Sequence, residues 1–188
     1  MVNQNKNTTN QILADSIKAL VLTKPVEKIT IKEITDRAGV IRPTFYNHFQ
    51  DKYELLEWII RTEILEPAHP LIRNGLTNQA VLLVFTSLLR EKDFYSRLSR
   101  MDGPVTFEDM VVKCIKDMLV EIFSEHPRQK NGKFPWMRVD MLAEHYARSM
   151  CFAVKVWIRQ GMTVPAQDMA DTYEYLMSHS MEQAIREL

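Results

Sequence analysis

Net charge is what this chain lacks: 24 Lys and Arg are balanced by 24 Asp and Glu over 188 residues. A global basic surplus, the simplest mark of a nucleic-acid binder, is therefore absent. Cysteine is scarce. Cys114 and Cys151 stand far apart in apolar patterns, which excludes a disulfide scaffold or redox pair and predicts free, buried thiols. The five histidines (His48, His69, His126, His145, His179) share no ligand spacing with each other or with cysteine, so no metal site is expected. Only five glycines occur. No glycine-rich phosphate loop, Ser-His-Asp pattern or nucleotide motif is present, so nothing announces an enzyme or a cofactor. No apolar run approaches the ~20 residues of a membrane helix. The polar start MVNQNKNTTNQ lacks the apolar run of a signal peptide. Together these absences predict a cytoplasmic, non-enzymatic protein without a membrane partner.

What is present is helical periodicity. Hydrophobic residues make up 46% of the chain, no strand-like alternation occurs, and the patterning predicts an all-α fold of about nine helices. A first helix is expected over Thr8–Thr23, with Thr8 and Gln11 as a capping box and Ile12, Leu13, Ile17, Leu20 and Val21 facing inward. A helix opening after Asp51 should end near Glu66, because Pro67 and Pro70 disfavour continuation. Further helices are predicted over Asn78–Arg90 and Asp93–Met101, and after a Thr106 cap, where Phe107 to Ile122 keep the 3/4 spacing. A polar loop, His126–Pro135, precedes a helix reaching about Gln160, and a last helix runs from Pro165 through Ile185. The chain divides into residues 1–50, a connecting helix over 51–66, and a helical domain over 67–188.

The most specific stretch is Thr30–Ile60. Thr30 and Glu33 form a capping box; Ile31, Ile34 and Ala38 follow at helical spacing; Gly39 supplies the freedom for a tight turn. In the next short helix Phe45 and Phe49, four apart, dock one face and leave Arg42, Thr44, Tyr46, Asn47 and His48 pointing away. An apolar docking face opposite a face rich in hydrogen-bond donors is what a helix-turn-helix requires. Up to Lys52 there are eight basic and five acidic residues, an excess of +3, compatible with phosphate contacts.

At these residues the sequence resembles the TetR family of bacterial transcriptional regulators: a glycine turn, then T-F-Y-N-H-F, then D-K-Y-E-L-L. The resemblance covers Thr8 to about Glu66, with the rest alike in helical layout and length. It departs at Ile41, where family members commonly carry a Ser or Thr cap; Pro43 in the first turn partly compensates. W-I-R-Q-G at Trp157–Gly161 is similar to the branch that includes dihydroxyacetone kinase regulators. The resemblance implies that Tyr46, His48 and Lys52 hold phosphates and that Arg42, Pro43, Thr44 and Asn47 approach base edges, with Thr30 at the same surface. It also implies double-stranded DNA as partner, a homodimer on a two-fold operator, and a ligand cavity.

Candidate cavity residues are Phe85, Met110, Cys114, Met118, Tyr146 and Met150, whose bland alternative is plain core packing. Candidate interface residues are Val154, Trp157, Ile158, Met169, Tyr173, Leu176 and Met177, because the last two predicted helices look apolar on faces too wide for one domain to cover. Arg148, Lys155 and Arg159 could meet an anionic effector or form an ordinary solvated face broken by Glu144. Three functions stay open: a repressor released by a small-molecule effector, an activator governed by a partner protein, and a helical interaction protein that no longer contacts DNA.

Overall fold

The computed structural model describes residues 2–125, 134 and 137–187, and the described residues contain helices and no strands. Helix α1 runs Val2–Val21, and a 3-10 turn at Val26–Lys28 leads to α2 (Ile31–Ala38) and α3 (Arg42–Tyr46). Then follow α4 (Lys52–Ile60), a π-helical turn (Arg61–Leu65) and α5 (Glu66–Arg73). The body is built from α6 (Thr77–Arg90), α7 (Lys92–Leu98), α8 (Phe107–Ser124), α9 (Val139–Arg159), α10 (Ala166–Ser178) and α11 (Met181–Arg186). With α4, the π turn and α5 counted as one rod, ten helices stand among the described residues.

The capping box expected at Thr30 forms, and the cap expected at Thr106 proves to be a full box as well. Thr30 accepts from the Glu33 amide while the Glu33 carboxylate accepts from the Thr30 amide, and Thr106 and Asp109 repeat the exchange at α8. Gly39 takes φ 68, the left-handed conformation that ends α2. The first helix differs from expectation: it begins at Val2, so Thr8 lies inside it and caps nothing. Ile12 is 41% exposed, and Ala14 takes the inward place instead.

The largest departure lies at the two prolines. The chain stays helical through Pro67 and Pro70 because the Glu66 amide reaches back five residues to the Arg61 carbonyl, opening a π turn. That register shift puts Pro67 in the first turn of α5, where its missing N–H is no loss. At the other end, Ser178 closes α10, and Ser180 starts α11 with its own Gln183 capping box. Ala184 and Ile185 therefore belong to a separate helix. The predicted loop His126–Pro135 lies outside the described residues except for Phe134.

One continuous core joins the N-terminal helices to the body, from Leu13, Ile17 and Phe45 through Leu55, Leu56, Ile59 and Ile60 to Phe85, Trp157 and Tyr173. W-I-R-Q-G proves to be a helix ending. Trp157 is fully buried, and its Nε1 donates to the Val164 carbonyl at 2.9 Å. Gly161 at φ 77 and Met162 at φ 51 turn the chain toward α10.

Candidate nucleic-acid interface and internal cavity

Helix α3 is held by Phe45, fully buried, and Phe49, 4% exposed, whose rings stand 5.9 Å apart. Burying each such side chain contributes about 1.5–3 kcal/mol. Ile41 forms no side-chain cap, and Pro43 sits in the first turn as expected. Arg42, Pro43, Tyr46 and Asn47 are exposed; Thr44 and His48 are half-buried. Arg42 Nη2 donates to the Tyr46 hydroxyl at 3.3 Å, and its guanidinium carbon lies 5.7 Å from that ring's centroid. The arginine is thus aimed along the helix face before any ligand arrives.

His48 is tied to the first helix: its Nδ1 lies 2.6 Å from Oδ1 of Asn10, a residue only 8% exposed. Sequence reasoning missed Asn10, because a polar residue in the middle of α1 carries no local sign of what it meets 38 residues later.

Lys52 is placed differently from the phosphate-holding role that the resemblance implied, and Thr30 is engaged within its own helix. The Lys52 ammonium points inward and donates to the carbonyls of Val26 (2.7 Å), Glu27 (3.0 Å) and Ile29 (2.9 Å). All three of its donors are spent. Burial lowers its pKa from the usual value, which Glu27 and Asp51 oppose. Lys52 closes the end of the 3-10 turn and fixes where α2 begins. Thr30 spends its hydroxyl on Glu33, donating to Oε2 at 2.8 Å.

Two polar links join the N-terminal helices to the body. Lys18 of α1 pairs with Glu63 in the π turn and, at 2.9 Å, with Glu91 before α7. Beside them the buried Tyr95 hydroxyl has no hydrogen-bond partner among the described residues. Glu27 accepts from the Asp102 amide at 2.8 Å. There a Cβ on Gly103 would stand 3.1 Å from the Tyr53 hydroxyl, so the tip of that side chain would have to give by a few tenths of an ångström.

Inside the body, a chamber of about 400 Å³ lies between α5, α6, α8, α9 and α10. Of the cavity candidates, Met118, Tyr146 and Met150 line it. Phe85 and Met110 do not: both are fully buried, and Phe85 packs edge-on against Trp157 at 5.1 Å. Cys114 opens instead on a second cleft of about 410 Å³ beside the π turn. Burial raises the Cys114 thiol to about 11, which leaves it neutral. The missed lining residues include Leu65, Ala68, Val84 and Tyr173.

The interface candidates divide. Val154, Trp157, Ile158 and Tyr173 are buried within their own protomer, so they cannot also cover a partner. Tyr173 faces the chamber because α6 covers that side of α10. Met169 is half-buried; Leu176 (52%) and Met177 (37%) are exposed. Phe152, 71% exposed on α9, joins them on the surface. Arg148 pairs with Glu144 and Lys155 with Glu108, as in a solvated face.

Residues 14–59 match the family described as bacterial regulatory proteins, tetR family, and residues 77–179 match the transcriptional regulator C-terminal region of the same regulators. The chain belongs to the TetR family. It is a DNA-binding transcriptional regulator, and regulators, not enzymes, make up its family. A curated relative, the HTH-type dhaKLM operon transcriptional activator DhaS of Lactococcus lactis, is 24% identical over 158 residues, 81% of each chain. The solved structure of the dihydroxyacetone kinase operon activator DhaS superposes with a TM-score of 0.55 at 21% identity, over 89% of this chain and 93% of that one. NalD, the secondary repressor of the MexAB-OprM multidrug efflux pump in Pseudomonas aeruginosa, gives 0.60 at 18% identity, over 91% and 96%. Among the described residues, no helix is long and apolar enough to cross a membrane, and no cluster of His, Cys, Asp or Glu could hold a metal ion.

Proposed function

We infer that this TetR-family chain works in the cytoplasm as a homodimer on a two-fold operator, with an effector in the internal chamber setting its affinity for DNA. The observation that carries the effector reading is the chamber itself. It has the size of a small-molecule site and a largely apolar wall, and one side of it is Leu65, the last residue of the π turn. An occupant therefore presses directly on the rod that leads to the recognition helix. It shifts DNA binding only in so far as it prefers one arrangement of that rod.

One such module makes few base contacts; two on half-sites about 34–36 Å apart supply the specificity. Support for pairing comes from the exposed apolar residues on the last three helices: Phe152, Leu176, Met177, Met181 and Ile185. Within α3, Arg42 reads a base edge, its fork suited to guanine, while Tyr46 and His48 contact phosphates and Pro43, Thr44 and Asn47 approach the groove.

Release of DNA by the effector makes the chain a repressor. Activation through a partner protein is the second reading, favoured by the likeness to the activator DhaS over 81% of the chain. Selection of bound duplexes from a random pool tests the DNA part: a two-fold consensus is expected, and Arg42→Ala should relax one position per half-site by about 1–3 kcal/mol. An unchanged consensus would remove Arg42 from the reading role. A reporter placed behind the selected operator then gives the sign of regulation.

A further inference from the structure

The chamber and the second cleft are neighbours. Leu65 and Met118 line both, so two side chains form the wall between an apolar space of about 400 Å³ and a polar one of about 410 Å³. The polar cleft is bounded by Arg61, Glu66, His69, Asp117 and Glu121, with Cys114 at its back. Leu65 belongs to the π turn and can yield with it. Met118, unbranched and partly buried, adapts to what lies beside it. A ligand that moves these two aside spans both spaces, and must be apolar at one end and polar at the other.

The sign of the polar end follows from the cleft. Three carboxylates face one guanidinium and one imidazole. Arg61 stands 3.6 Å from Asp117, so Glu66 and Glu121 keep no arginine or lysine of their own among the described residues. His69 Nε2 is buried and makes no hydrogen bond among the described residues. It lies 3.9 Å from Glu121 Oε1, too far for a direct bond. A buried polar atom left in this way is unfavourable until a ligand or water serves it. With the ring proton on Nδ1, Nε2 is an acceptor, and a group carrying several N–H donors placed between ring and carboxylate serves both together. An ammonium does so, while a carboxylate would meet acidic neighbours.

We propose that the effector is an amphiphilic amine, its apolar body in the chamber and its ammonium in the cleft between His69 and Glu121. This rests on the effector reading of the chamber given above. At roughly 30 Å³ for each water-sized unit, the chamber has room for a body of about a dozen such units. Phe123, Tyr146 and Met150 supply wall that suits an alkyl or aromatic body equally.

The test uses the full chain and three probes with one tail, decylamine, decanoate and decanol, each below its aggregation threshold and measured by calorimetry. Decylamine should bind about ten-fold or more tighter than decanoate, the effect of one charge-assisted hydrogen bond. Glu121→Gln, a change at an exposed carboxylate, and His69→Ala should each erase most of that preference while leaving decanol affinity unchanged. Circular dichroism confirms that both variants are folded. Decanoate binding as tightly as decylamine, or a preference that survives both substitutions, would overturn the ammonium site and leave the chamber reading standing. No binding by any probe to the folded chain would overturn both.

Discussion

Asn10 Oδ1 and His48 Nδ1 meet at 2.6 Å, joining a buried residue of the first helix to the C-terminal side of the recognition helix. The contact holds the imidazole ring against α1 and limits how α3 can roll on it. Asn10→Ala should therefore lower stability by about 1 kcal/mol. It should weaken operator and non-operator duplexes together, because Arg42 is untouched. Fluorescence anisotropy on matched and scrambled duplexes checks this; a loss confined to the operator would give Asn10 a part in base reading.

Lys52→Met separates an inward clamp from a phosphate contact. Removing three charge-assisted bonds to the Val26, Glu27 and Ile29 carbonyls should lower stability by more than the roughly 1.5–3 kcal/mol of a single such bond. The log–log dependence of DNA affinity on salt should keep its slope. A phosphate-bound lysine would take about 0.9 off that slope.

For assembly, Phe152→Glu or Leu176→Glu should yield folded monomers with weakened operator binding, seen by sedimentation alongside unchanged helical content. Tyr173→Glu should behave differently and lower the melting temperature, because Tyr173 is 93% buried inside its own protomer (7% exposed). Should Tyr173→Glu instead give a stable monomer, the pairing surface extends to the far side of α10.

Acid stability has a named contributor. The Glu33 carboxyl is held down to about 2 from 4.5, first by the Lys24 hydrogen bond and then by those from Thr30. A depressed folded-state pKa stabilises the protein above the unfolded value, and the contribution disappears as pH falls from about 4.5 to 2. Glu33→Gln should flatten the melting-temperature curve across that window and leave its shape above pH 6 unaltered.

What sequence could show, and what it could not, divides by distance along the chain. The capping box at Thr30, the cap at Thr106 and the turn at Gly39 depend on residues within one turn, and all three were legible. Phe45 and Phe49 were legible as anchors for the same reason. Lys52 was not, because the carbonyls that draw it inward lie 23 to 26 residues upstream. Helical spacing marked Tyr173 as facing something apolar but could not say that α6, rather than a second chain, provides it. The prolines misled in the same way: Pro67 and Pro70 are breakers of α-helical bonding, and the chain answered with a different bonding pattern.

That pattern bears on where the recognition helix points. One residue occupies about 100° of an α-helix, but the wider turn between Arg61 and Leu65 takes up its surplus residue as a bulge, so the parts upstream and downstream stay nearly in phase. Arg42 travels with the upstream part and the exposed apolar surface of α10 with the downstream part. The compass bearing of the reading surface relative to the pairing surface is thus preserved by the bulge despite the extra residue. A chain lacking that residue, its turn closed to ordinary α-helix, would keep Arg42 on nearly the same bearing, whereas the full-length segment forced into unbroken α-helix would swing it by about 100°.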